Sequence, residues 1–294
     1  MGLPWWKRRL LWALKGDASL LPSHIAIIMD GNRRFARKKH LGTGEGHRSG
    51  FNKLHETLEM CLELGIRHVT VYAFSVDNFN RSAEEVEDLM DLAQEKLSDV
   101  MWQRDFLQAN EVQIRVAGDM SLLRPSLRAA VEQLTQATQH HSKAILTVCL
   151  AYGSRHEMHE AMRRSAEAQP SPSPAPRPSS LEQPPTHNSS SSSSSSGGGR
   201  SDEAAVSLPS DGIAPSFDAF LYTAGLPDPD LLIRTSGETR LSDFLLWQVC
   251  ERTSFYFTPV LWPEMTTLQF ISLILHYQIF ADHHTKHTTT AGAN

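Results

Sequence analysis

The sequence predicts an α/β protein: one six-stranded, mainly parallel central sheet flanked by helices. Three observations predict it. Six short apolar runs with β-branched residues, at 24–30, 68–74, 112–118, 145–152, 230–235 and 254–258, have the length of strands. Most are separated by helical patterns, the alternation that a parallel sheet requires. The chain has 294 residues and a hydrophobic fraction of 40%, enough for one full core.

The first element is Gly2-Leu-Pro-Trp5-Trp6-Lys7-Arg8-Arg9-Leu10-Leu-Trp12-Ala-Leu14-Lys15, which is aromatic, basic and amphipathic. It is too short to span a bilayer and no small-residue cleavage site follows it, so residues 1–21 read as a segment lying in a membrane interface. A helix docked on the protein's own surface is the alternative. Residues 22–294 are then expected to form one domain.

The run His24-Ile-Ala-Ile-Ile-Met-Asp30-Gly31-Asn32-Arg33-Arg34 carries a strand into a carboxylate, a glycine, an amide and two guanidiniums. Open α/β sheets bind ligands at strand C-termini, glycine admits a close ligand, and paired arginines grip phosphate oxygens, so this pattern suggests a magnesium diphosphate. Gly42-Thr-Gly44-Glu-Gly46 lacks the Lys-Ser/Thr of a P-loop and reads as a flexible segment before a helix at 47–64, where Phe51, Leu54, Leu58, Cys61 and Leu62 are helically spaced. The second strand ends in Tyr72-Ala-Phe74-Ser75-Val-Asp77-Asn78-Phe79-Asn-Arg81. Ser82-Ala-Glu-Glu85 then caps a helix over 82–108 that turns Val86, Leu89, Met90 and Leu97 to the core, and Ser154-Arg-His-Glu157 offers another such cap. The third polar strand end is Leu231-Leu-Ile-Arg234-Thr-Ser-Gly237-Glu238-Thr-Arg240-Leu-Ser242. Three strand ends thus bring cations to one edge of one sheet.

From about 166 to 215 the pattern breaks into Pro-, Ser- and Gly-rich sequence, including an unbroken run from Ser189 to Ser196. Such composition cannot offset its ordering entropy and is expected to be a disordered insertion. The net charge of −5 gives no global pull toward nucleic acid. Cys61, Cys149 and Cys250 have neither metal-type spacing nor an even count, so they read as core thiols in a reducing compartment.

The blocks at 29–36, 45–51, 72–79 and 233–248, followed by Val-Leu-Trp-Pro-Glu at 260–264, resemble the cis-prenyltransferase family, specifically its dehydrodolichyl diphosphate synthase type. The resemblance covers residues 22–165 and about 216–280, and it implies that isopentenyl diphosphate is added repeatedly to an allylic primer in an apolar product tunnel. The polyprenyl diphosphate would serve dolichol synthesis and protein glycosylation. It further implies Mg2+ on Asp30, with Asp30, Asn32 and His47 in the chemistry. Gly31, Asn32, Arg33, Arg34, His47, Ser75 and Asn78 would hold the primer diphosphate, with farnesyl diphosphate as the primer. Arg81, Arg234, Arg240 and Ser242 would hold isopentenyl diphosphate.

Three departures from bacterial members stand out. Thr43 occupies a position often Arg, leaving Arg37 or Arg48 to replace the contact; Thr253 occupies a metal-supporting Glu position; and the C-terminal Arg-x-Gly of single-subunit relatives is missing. The last implies a heteromer with a Nogo-B receptor-type subunit, placed peripherally on the cytoplasmic face of the endoplasmic reticulum membrane. Two rivals are an all-helical trans-type synthase, suggested by Glu87-Asp88-Leu-Met-Asp91, and a non-catalytic scaffold subunit. The strands weigh against the first, and the whole Asp-Gly-Asn-Arg-Arg cluster against the second.

Overall fold

The computed structural model describes residues 3–15, 20–80, 82–102, 104–168 and 216–290. All six expected strands form: β1 (His24–Ile28), β2 (His68–Tyr72), β3 (Val112–Ala117), β4 (Ala144–Cys149), β5 (Leu231–Arg234) and β6 (Ser254–Phe257). They make one sheet in the order β3-β4-β2-β1-β5-β6, and every pairing is parallel. Around them lie α1 (Trp5–Leu14), α2 (Asn32–Lys38), α3 (Thr43–Leu64), α4 (Ala83–Trp102), α5 (Arg104–Ala109), α6 (Pro125–Thr138), α7 (Ser154–Ala168) and α8 (Thr267–Thr290).

Strand alternation divides the core between the two faces. Ile25, Ile27, Val69, Val71, Ile114 and Leu146 join the larger cluster with α3, α4, α6 and α8. Ala26, Ile28, Cys149 and Leu232 face the other way, onto Tyr152, Phe244, Leu245 and Val249. All five residues of β1 are buried, which explains its unbroken apolar run.

The chain leaves β1 toward β2 on one side of the sheet and leaves β5 toward β6 on the other. The crevice between the C-terminal ends of β1 and β5 is therefore a topological switch point, where open α/β sheets take their ligands.

Several expectations change. Helix α3 begins at Thr43, not near His47, with the Gly42 amide donating to the Glu45 carboxylate, so the glycine-rich segment is helical rather than a flexible connection. Close packing is the reason: a Cβ on Gly46 would stand 2.6 Å from the Asn32 carbonyl oxygen, and one on Gly50 would stand 2.2 Å from Asn32 Oδ1. Ser154 and Glu157 form no capping pair. Ser154 Oγ instead accepts from the Leu246 amide, and the Glu157 side chain turns into the interior. Helix α7 continues through Ala168, just past the expected start of the insertion; residues 169–215, the rest of that expectation, lie outside the described residues.

Helix α1 packs on α3 and α8. Leu11 is fully buried, Lys7 and Lys53 both pair with Glu56, which also accepts from Thr267, and Arg8 pairs with Glu63. The two lysines hold the Glu56 carboxyl well below the usual range, at about 2, against the opposing effect of its burial. Trp5, Trp6, Leu10 and Trp12 remain exposed on the outer side. Among the described residues no helix is long and apolar enough to cross a membrane.

Candidate active site

Strand β1 ends at Ile28, and two residues later Asp30 stands at the switch point. Its Oδ1 accepts from the Gly31 amide at 2.7 Å, and its Oδ2 accepts from Arg234 Nη2 at 3.0 Å. Each carboxylate oxygen carries two lone pairs, so Asp30, with a side chain one-third exposed, keeps acceptor capacity for a cation. Gly31 has φ 105°, and a Cβ there would come within about 3 Å of Leu261 and Ser236. Glycine is needed on both counts.

The Asp30 carbonyl accepts from Thr235 Oγ1 at 2.7 Å and from the Trp262 amide at 3.0 Å, while Trp262 Nε1 donates to the Gly50 carbonyl. The buried indole thus locks the β1 tip to α3. Asn32 opens α2, its Nδ2 donating to the Met29 carbonyl.

These residues open onto a cavity of about 1360 Å³. Asp30, Gly31, Asn32, Arg33, Arg34, His47, Asn78, Glu238 and Arg240 line its polar part. Elsewhere its walls are mostly aliphatic, with Leu54, Val71, Leu89, Leu92, Leu97, Leu146 and Val148 from α3, α4, β2 and β4. His47, Gly50, Phe51 and Leu54 form one stripe of α3 along it, at helical spacing.

The structure divides the residues expected at the second substrate. Arg240 lines the cavity, whereas Arg234 is buried and turned inward, with Nη1 donating to Ser242 Oγ at 2.7 Å and to the Arg240 carbonyl. Arg81 lies outside the described residues. Ser75 sits beside the cavity rather than in its wall, its amide donating to Asn78 Oδ1 at 2.9 Å.

Glu238 is the residue that motif reading passed over. Its carboxylate pairs with Arg240 and stands 3.7 Å from Arg34, bridging the two groups of arginines. Its place between Gly237 and Arg240 was the available signal. Of the departures, Thr43 lines the cavity along with Arg37, and Arg48 is engaged by Glu95 at 2.9 Å. Thr253 precedes β6 and donates to the Pro229 carbonyl at the N-terminal edge of the sheet. That is roughly 15–20 Å from the β1 tip at a strand's rise per residue, so Thr253 subtracts no ligand from this chain's own Asp30.

The segment after β5 is held in a costly conformation. Ser236, Ser242, Asp243 and Leu245 all have positive φ, between 50° and 81°. Each such residue costs on the order of 1–3 kcal/mol and persists only where its surroundings over-determine it. Behind it lies a network that sequence reading missed. Glu157, fully buried, accepts from Tyr152 Oη, Gln248 Nε2, and the amides of Tyr222 and Thr223. Burial raises its pKa, and these donors oppose the rise.

A parallel α/β sheet whose switch-point crevice puts arginines at the polar part of a large, mostly aliphatic cavity defines a binder of amphiphiles with anionic heads. The family model described as undecaprenyl diphosphate synthase matches residues 28–284. The chain belongs to this prenyltransferase family. It is 45% identical to the dehydrodolichyl diphosphate synthase complex subunit DHDDS of Homo sapiens over 281 residues, covering 91% of this chain and 74% of that protein. It is also 38% identical to an isoprenyl transferase of Thermus thermophilus, covering 93% and 91% of the two chains. Among solved structures, lavandulyl diphosphate synthase of Lavandula x intermedia, in complex with dimethylallyl diphosphate, superposes with a TM-score of 0.68 at 30% identity, covering 88% of this chain and 96% of that one.

Proposed function

We propose that this chain elongates an allylic primer, farnesyl diphosphate, with isopentenyl diphosphate, giving a cis-polyprenyl diphosphate for dolichol synthesis. The observation that carries the reading is that Asp30, Arg34 and Arg240 line one cavity of about 1360 Å³ together with aliphatic side chains from four elements.

In this reading Gly31, Asn32, Arg33 and Arg34 hold the primer diphosphate, with His47, Ser75 and Asn78 supporting it and the tail lying along the aliphatic wall. Arg240 holds isopentenyl diphosphate with Arg81, and Arg234 and Ser242 fix the loop that presents it. Glu238 spaces the two cationic groups and keeps Arg34 and Arg240 from repelling each other before substrate arrives.

Among the described residues there is no group of three or more His, Cys, Asp or Glu able to hold a metal alone. A single carboxylate with spare acceptor capacity suits Mg2+, which takes one or two carboxylates and completes its shell with water and phosphate. When bound through Asp30, Mg2+ would neutralise the charge that develops on the departing diphosphate. The arginines stabilise the same charge without moving, because Arg234 and Glu238 already hold the loop and its cation in place. In this reading His47 and Asn78, both in the cavity wall, position phosphate or carry the proton away.

The human relative is named a complex subunit, and that supports a heteromer here, with a Nogo-B receptor-type subunit as the second chain. The exposed Trp5, Trp6 and Trp12 of α1 support peripheral membrane contact, which in this reading is with the cytoplasmic face of the endoplasmic reticulum. The test is diphosphate release from farnesyl and isopentenyl diphosphates by the purified chain, with and without that subunit. Weak release alone and strong release with the partner is expected. Full turnover by the chain alone would remove the heteromer, and no release in either case would remove the enzyme.

A further inference from the structure

The loop 240–245 holds Arg240 at the cavity, yet three of its residues, Ser242, Asp243 and Leu245, lie in the left-handed region. Arg234 fixes it from β5 and the start of α7 fixes it from behind, the Asp243 carbonyl accepting from the Ser154 amide and its carboxylate pairing with Arg155. A third support comes from β2. The Tyr72 hydroxyl lies 3.2 Å from the Ser242 carbonyl oxygen and 3.3 Å from that of Tyr152, and shares its one proton between them. Its ring stacks on Phe244, with centroids 4.6 Å apart and planes at 15°.

Tyr72 is also the last residue of β2, two residues before the turn that carries Ser75 and Asn78. The same residue therefore leads by its backbone to the turn of the primer group and reaches by its hydroxyl the backbone of the isopentenyl diphosphate loop.

We infer that Tyr72 is a positioning residue for isopentenyl diphosphate: its hydroxyl holds the Ser242 carbonyl, and through it the Arg240 loop, in the conformation that receives the diphosphate. The inference rests on the proposed partition of the two substrates. Burial raises the phenol to about 12, so the hydroxyl stays a donor across the physiological range. Losing that hydrogen bond leaves the Ser242 carbonyl without its donor from β2 and lets the strained segment relax away from Arg240.

The test is calorimetric binding of isopentenyl diphosphate and, separately, farnesyl diphosphate to the full chain with magnesium, for wild type, Tyr72→Phe, Phe244→Leu and Arg240→Ala. Tyr72→Phe keeps the ring stack and removes only the hydroxyl. It should weaken isopentenyl diphosphate about three- to tenfold, the range of one ordinary hydrogen bond, and leave farnesyl diphosphate and the thermal midpoint unchanged. Phe244→Leu keeps the hydroxyl and should lower the thermal midpoint with a smaller effect on isopentenyl diphosphate. Wild-type affinity in Tyr72→Phe beside a loss in Arg240→Ala would overturn the inference and leave the partition standing. Equal weakening of both ligands by Tyr72→Phe would overturn it as well. Wild-type affinity in Arg240→Ala would overturn the partition and the inference together.

Discussion

Strand β1 starts at His24 and leads at its other end to Asp30, and the two edges of the sheet use their ionisable residues in opposite ways. At the N-terminal edge the groups close on one another. His24 is buried, with Nδ1 at 2.7 Å from the Pro227 carbonyl and Nε2 at 2.8 Å from Thr70 Oγ1. Asp230 Oδ2 accepts from the Ser23 amide, the Ser23 hydroxyl and the His24 amide. At the C-terminal edge Asp30 and Arg234 also pair, but Arg33, Arg34 and Arg240 turn to a cavity. Among the described residues, buried polar atoms without a protein partner occur at both edges, His68 Nδ1 at one and Asn32 Oδ1 and Arg234 Nε at the other. An unpaired atom therefore does not mark the site. The strained loop and the cavity do, and both belong to the edge beyond Asp30.

The sharpest way to break this contrast is Asp30→Asn. Asparagine keeps an acceptor for the Gly31 amide, whereas alanine would strip the buried Arg234 of its Asp30 acceptor and leave it only Ser242 Oγ and the Arg240 carbonyl. Turnover should fall by at least about a hundredfold, with the thermal midpoint little changed; activity within a few-fold of wild type would make the C-terminal edge as structural as the other. Next in size is Arg240→Ala. Loss of a charge-assisted contact of roughly 1.5–3 kcal/mol should raise the isopentenyl diphosphate requirement by about one to two orders of magnitude, with a smaller effect on the primer. Initial rates at varied concentrations of each substrate would show it, and equal effects would mean that the two phosphate groups are wrongly divided.

The opposite edge should answer in stability. Burial lowers the His24 pKa from 6.5 to about 4 against the hydrogen bond to the Pro227 carbonyl, with His68 aiding the fall and Asp230 opposing it. Between those values the unfolded ring is protonated and the folded ring is not, so stability is full above pH 6.5 and declines as the pH falls toward 4, by roughly 3 kcal/mol. His24→Gln should shrink the loss between pH 7 and pH 5 by about 2 kcal/mol in urea unfolding. An unchanged slope would assign the acid sensitivity elsewhere. The smallest effect is expected from the composition-biased segment: replacing residues 170–207 with a short flexible linker should leave turnover within about twofold, because closure entropy changes slowly with length.

Much of this contrast was legible in the sequence. The strands show because a parallel strand buried on both faces has an unbroken apolar run, and Asp30, Arg34 and Arg240 show because motifs at strand ends share an edge. The start of α3 was hidden: glycines at 44 and 46 read as loop by propensity, and only the approach of Asn32 and Ala36 explains Gly46 in a helix, while Gly44 meets nothing nearby. Arg234 was partly readable. Alternation puts it on the face of Leu232, opposite Ile233, which turns it inward behind Asp30. The Glu157 network was not readable, since its donors at Tyr222, Thr223 and Gln248 come from positions 65 to 91 residues away.

Whether the C-terminal edge builds a cis-polyprenyl chain is tested most directly by the product itself. The full chain, with its proposed partner subunit, magnesium, farnesyl diphosphate and labelled isopentenyl diphosphate, should yield long polyprenyl diphosphates whose new double bonds are cis when resolved by chromatography, and Asp30→Asn should yield none. New double bonds that are trans, or labelled product undiminished in Asp30→Asn, would contradict that reading.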